Sequence, residues 1–99
     1  MTGTYKVVLT RHAGDDLATI HEYISADSPG NADRFIKEVE EKILSLANMP
    51  CRAPLIPENI LFGTSYRHLV HGKYRIIFRV QDATVIVLRV IHGARQLKL

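Results

Sequence analysis

The sequence holds one cysteine in 99 residues, Cys51, which rules out an internal disulfide and any multi-cysteine metal site. Long apolar runs are missing too. The longest, Val85 to Ile91, has seven residues and contains Arg89, whereas a bilayer span needs roughly 20 apolar residues. No apolar stretch follows the opening Met1-Thr2-Gly3-Thr4, so no secretory leader is expected, and a cytoplasmic protein without a membrane partner is. Internal repeats and low-complexity segments are absent. Acidic residues are scarce in one half only. Residues 1–50 carry five Lys/Arg against eight Asp/Glu, a balance of −3, while residues 51–99 carry eight against two (Glu58 and Asp82), a balance of +6.

What is present fits one soluble globular domain over residues 1–99, with 46% apolar and 23% charged residues. Tyr5, Val7 and Leu9 alternate along a strand at 4–10. Thr10 then stands where a helix N-cap belongs, and Asp15 and Asp16 follow where negative charge suits the helix dipole. Ala13, Leu17, Ile20 and Ile24 form one stripe of that helix, which Ser28-Pro29-Gly30 stops. Ala32, Phe35, Ile36, Val39, Ile43 and Leu46 form the stripe of a second helix. So short a turn predicts an antiparallel helical hairpin. Pro50, Pro54 and Pro57 make the connection from Met49 to Gly63 irregular. Three strands, about Ser65–Val70, Tyr74–Gln81 and Thr84–His92, are joined by turns short enough to pair antiparallel.

The expected fold class is therefore α+β, in the order β-α-α-β-β-β, with an antiparallel sheet carrying the hairpin on one face. Along Tyr74–Gln81, Tyr74, Ile76, Phe78 and Val80 belong to the core, and Arg75 and Arg79 point to the opposite side. Six of the thirteen basic residues are arginines of the second half, which suits planar anion recognition of phosphate or carboxylate. An uncovered sheet face bearing Arg75, Arg79 and Arg67 is the expected place for binding or chemistry.

The order and spacing of several segments resemble the RelE/ParE superfamily of toxins from bacterial type II toxin–antitoxin systems. The segments are Tyr5-Lys6-Val7-Val8-Leu9-Thr10, Ala13 with Asp16-Leu17, Ile20 and Tyr23-Ile24, Ala32 with Phe35-Ile36, and Ile43, Leu46 and Met49-Pro50. They continue through Tyr66-Arg67 and Tyr74-Arg75-Ile76-Ile77-Phe78-Arg79-Val80 to Val85 and Val87-Leu88-Arg89-Val90-Ile91-His92-Gly93-Ala94-Arg95. The resemblance implies one of two activities, and no cofactor or metal for either. RelE-like members are metal-free ribonucleases that cut mRNA on the ribosome, and ParE-like members are associated with poisoning of DNA gyrase. Arg75 and Arg95 match motif arginines, and His92 lies where some members place an acid–base histidine. No tyrosine follows Arg95, and Ser65–Val70 lacks paired lysines, so the ParE-like branch is favoured.

In a ribonuclease, Arg75 and Arg95 would stabilise charge on phosphorus and His92 would exchange the proton. In a ParE-like protein, Arg67, Arg75, Arg79, Arg89 and Arg95 would bind the target, or the acidic, amphipathic C-terminal segment of a cognate antitoxin. A third reading is a non-toxic module whose basic face holds an acidic partner, or whose arginines pair with the chain's own acids. His68 and His71, three apart on a strand, point to opposite faces and make no metal pair. Cys51 has no base beside it and is read as packing. Arg11 and Arg34 are read as solvated ion pairs on the acidic helices.

Overall fold

In a computed structural model of the chain, residues 4–95 and Leu97 are described. Met1-Thr2-Gly3, on which the expectation of no leader rests, and the basic Lys98 lie outside the described residues. The elements are β1 (Lys6–Leu9), α1 (Arg11–Ser25), α2 (Pro29–Ser45), a 3-10 turn (Pro50–Arg52), α3 (Asn59–Phe62), β2 (Arg67–His71), β3 (Tyr74–Gln81) and β4 (Thr84–His92).

Both long helices start on side-chain caps. The Thr10 hydroxyl accepts from Ala13 N–H, and Ser28 accepts from Asn31 N–H with Pro29 in the first turn, where its missing N–H costs nothing. The buried stripes are Ala13, Leu17 and Ile20 on α1 and Ala32, Val39 and Ile43 on α2. They close over one face of the sheet around Ile76, Phe78, Val85, Val87 and Val90.

The strand order is β1-β4-β3-β2. β2, β3 and β4 pair antiparallel, as expected, with Gly72 (φ 58°) and Asp82 (φ 55°) taking the left-handed positions of the two tight turns. β1 departs from the expected all-antiparallel sheet, pairing parallel to β4 from Lys6↔Thr84 to Leu9↔Val87. A parallel neighbour needs a long crossover, and the helical hairpin with the two strands after it provides one.

β4 is irregular where β1 ends. The register shifts between Ile77↔Arg89 and Phe78↔Val87, so Leu88 is an extra residue. Thr10 and Asp16 of the α1 N-terminus take over pairing with the strand there. Thr10 N and Oγ1 donate to Val87 O (3.0 and 2.9 Å), and Val90 N donates to Asp16 Oδ2 (2.9 Å).

The second face of the sheet corrects the expectation of an open surface. Ile77 and Ile91 are buried there beneath Ile56 and Leu97, with Phe62, Tyr66 and Leu88 packed around them. Apolar Ile77, Leu88 and Ile91 give that face a hydrophobic surface, and the proline-rich connection folds back to cover it. Asn59 fixes the cover: its side chain donates to Tyr66 O (2.9 Å) and accepts from Tyr66 N (3.0 Å) and Thr64 Oγ1 (2.7 Å). A bridge between Leu55 and Arg67, with His68 N donating to Pro54 O (3.1 Å), ties the same segment to β2 at the sheet edge.

Candidate functional site

The arginines expected on a shared open face have separate surroundings. Arg75 is 6% exposed and Glu58 4%, and both Arg75 terminal nitrogens donate to the Glu58 carboxylate, Nη1 at 3.0 Å. Arg89 pairs with Asp16 of α1 through Nε (2.7 Å) and Nη2 (2.9 Å). Arg67 Nη1 donates to Ala53 O (2.7 Å), and Arg79 Nη1 to Gln81 Oε1 (2.6 Å). Arg95 is exposed, and among the described residues its guanidinium has no hydrogen-bond partner. Pairing with the chain's own acids is thus the environment of Arg75 and Arg89. For Arg75 the physical reason is burial: a guanidinium sealed under the 49–63 connection needs a carboxylate there, and Glu58 provides it.

The structure does not bring Arg75, Arg95 and His92, the set expected of a ribonuclease, onto one face of the sheet. The ladder places Tyr74 opposite His92 and Arg75 opposite Ile91. Since successive side chains alternate faces, His92 and Arg75 lie on opposite sides of the sheet. His92 stands on the hairpin side, its ring edge-on to Tyr74 at 5.6 Å between centroids, and its Nδ1 accepts from Ala94 N–H (3.2 Å). Tyr74 in turn meets Phe35 of α2 edge-on at 5.4 Å. Arg75 lies under the connection with Glu58.

The segment after β4 joins the two sides. Gly93 N–H donates to Lys73 O at 2.6 Å, and a Cβ at Gly93 would stand 3.3 Å from that oxygen, so only glycine turns there without crowding. The chain then crosses the end of the sheet, and Arg95 lines clefts on both sides. One, of about 300 Å³, is also bordered by Glu58, Leu61, His68 and Arg75. The other, of about 290 Å³, is bordered by Asp16, Tyr23, Tyr74 and His92.

Electrostatics limit what these clefts can do chemically. The Arg75 hydrogen bonds hold the Glu58 carboxyl down at about 2 against the opposing effect of burial. A carboxylate that acidic is a poor proton acceptor near neutral pH. Burial, and then the Arg75 charge, push His68 below its ordinary value, so it stays neutral. Its Nδ1 is buried without a hydrogen-bond partner among the described residues. Asp16 holds Arg89 still more firmly in its charged form. Among the described residues no three His, Cys, Asp or Glu side chains gather as a metal site.

Two smaller expectations are corrected. Cys51 is exposed, because the 3-10 turn buries Pro50 and directs the thiol outward. Arg34 donates to Asn31 Oδ1 (2.5 Å) one helical turn away, a neutral partner nearer than any acid.

Sequence reasoning passed over Glu58 and Asp16 as site-building residues. Both left a signal. Asp16 stands on the buried stripe, three residues after Ala13 and four before Ile20, where a charge needs a partner. Glu58 is one of two acids in the basic half and interrupts the apolar run around Ile56 and Ile60.

A helical hairpin on a four-stranded sheet, with Arg95 on the segment that crosses its end, is the architecture expected of the RelE/ParE-like class. Residues 7–97 match the family model described as the ParE toxin of the type II toxin–antitoxin system parDE. The chain belongs to that family and is a toxin of the type II class.

Solved structures agree in fold. A chain of the chromosomal ParDE toxin–antitoxin system from P. aeruginosa superposes with a TM-score of 0.74 at 20% identity, covering 92% of this chain and 98% of that one. A chain of the RelBE2 toxin–antitoxin complex from Mycobacterium tuberculosis gives 0.67 at 26% identity, covering 90% and 98%. No curated protein matches significantly.

Proposed function

We propose that this toxin arrests growth by inhibiting DNA gyrase, and that the acidic, amphipathic C-terminal segment of a cognate antitoxin neutralises it. The family match over residues 7–97 carries the reading. The site geometry supports the gyrase branch over the ribonuclease branch, since Arg75 is committed to Glu58 on one face while His92 packs against Tyr74 on the other. A metal-free ribonuclease needs charge stabilisation and proton transfer at one phosphate. Within this proposal Arg95 is the foremost contact residue, with Arg67 and Arg79 as flanking charges. Arg75 and Arg89 act through the structure they hold. The protein works without a cofactor and in the cytoplasm. No described helix is long and apolar enough to cross a membrane.

The runner-up is a ribosome-dependent mRNA endonuclease, favoured by the RelBE2 likeness and by the shared cleft of His92 and Arg95. Inducible expression in a bacterial host tests both. Growth arrest with a loss of plasmid negative supercoiling and intact transcripts supports gyrase. Arrest with new mRNA ends inside translated frames and unchanged plasmid topology supports the endonuclease. Unimpeded growth and unchanged topology would leave an acidic-partner module as the better reading.

A further inference from the structure

Glu58 and Arg75 do more than neutralise each other in the second core. Each makes a further bond to the main chain beyond β4. Arg75 Nη2 donates to Arg95 O (2.7 Å), and Leu97 N–H donates to Glu58 Oε2 (2.9 Å). The Leu97 side chain, 2% exposed, is set into the core beside Ile56, Ile77 and Ile91. Between these anchors and the turn bond from Arg95 N to His92 O (2.9 Å), the main chain at Arg95 is held while its guanidinium remains exposed.

We infer that Glu58 and Arg75 are positioning residues, a buried two-charge clamp on the main chain at 95 and 97 that presents the Arg95 guanidinium at the rim between the two clefts to an acidic surface of the toxin's target. An apolar pair would fill the same volume at no loss of stability, because buried ion pairs seldom outperform good packing. An apolar pair could not tie down a carbonyl and an amide at once. Arg95 on a loose segment would lose backbone freedom on binding, roughly a tenfold penalty for each residue ordered. Fixed in advance, its planar fork meets a carboxylate with both donors aligned.

The identity of the target rests on the gyrase reading, and the clamp does not. The test therefore has two arms. In the first, amide hydrogen exchange is measured on the full chain. Leu97 N–H is expected to be protected in the wild type and to exchange at least tenfold faster in Glu58→Ala and Glu58→Leu, which hold no acceptor there, with Phe78 and Val87 unchanged. Equal Leu97 protection in these variants overturns the clamp whatever the toxin acts on.

In the second arm, half-inhibition of gyrase supercoiling is read beside the melting temperature. Arg95→Ala is expected to weaken inhibition about tenfold at unchanged melting temperature, and Glu58→Gln combined with Arg95→Ala to be no weaker than Arg95→Ala alone. The exchanged pair Glu58→Arg with Arg75→Glu restores opposite charges but neither main-chain anchor. It is expected to recover melting temperature over the single Arg75→Glu change without recovering inhibition. Recovery of both, or additive losses, would make the pair merely structural. A wild type inert on gyrase with a protected Leu97 amide would sink the gyrase reading and leave the clamp standing.

Discussion

Arg75 and His92 sit on neighbouring rungs of the β3–β4 ladder and face away from each other, Arg75 opposite Ile91 and His92 opposite Tyr74. The sheet itself separates them, so no substrate phosphate can touch both. His92→Gln is therefore expected to fall far short of the about 10²–10⁴-fold loss that follows removal of a general acid–base. Inhibition of the target by purified His92→Gln, measured against the wild type across pH 6–8, checks this.

Asp16 and Arg89 are 73 positions apart and share two hydrogen bonds, and Asp16 also takes Val90 N–H. The pair pins the start of α1 to the bulged stretch of β4 that β1 does not reach. Asp16→Ala removes three bonds and leaves Val90 N–H without its partner, at a cost of about 1–3 kcal/mol. Arg89→Ala removes only two and is expected to cost less. Urea unfolding of the two single variants and the double variant should give a coupling energy of about 1 kcal/mol or more.

Glu58 and His68 give stability a defined acid limb. Glu58 titrates at about 2 in the fold against an ordinary 4.5, so its contribution is complete above pH 4.5 and is lost as pH falls toward 2. His68 is depressed from 6.5, so the unfolded chain binds its proton first and stability already declines as pH drops below 6.5. Thermal unfolding from pH 8 to pH 3 is expected to show both declines. His68→Phe should remove the first, and Glu58→Gln should flatten the second while lowering stability near neutral pH.

Asn59 closes the cover over the second core with three side-chain bonds to Thr64 and Tyr66. Asn59→Ala leaves Tyr66 N–H without its partner in a part-buried site, while Tyr66 O keeps the bond from Ile56 N–H (3.0 Å), at about 1–3 kcal/mol. The loss should be read in amide exchange at Tyr66 and Ile77 before it is read in the helical hairpin.

The hairpin was legible because its signals are local: Thr10 and Ser28 as caps, Pro29 in the first turn, and stripes at helical spacing. The three antiparallel strands were legible for the same reason, through the alternation along Tyr74–Gln81, the apolar run in Thr84–His92 and the short turns between the strands. The parallel pairing of β1 was not, since it depends on where the chain lies after a crossover rather than on any nearby residue. The covered second face was hidden by composition. Prolines at 50, 54 and 57 argue against regular structure there, but they do not say that Ile56 and Phe62 will pack on Ile77. Once that cover is missed, Arg75 reads as a free surface charge, although Glu58 in the same segment was its available partner.

Supercoiling of relaxed plasmid by purified gyrase, titrated with purified toxin and run beside translating ribosomes on a defined mRNA, tests the assignment of the target most directly. The expected result is that supercoiling is progressively lost while the mRNA stays whole, and that Arg95→Ala restores supercoiling. Cleaved mRNA with gyrase unaffected, and cleavage abolished by His92→Gln, would contradict it.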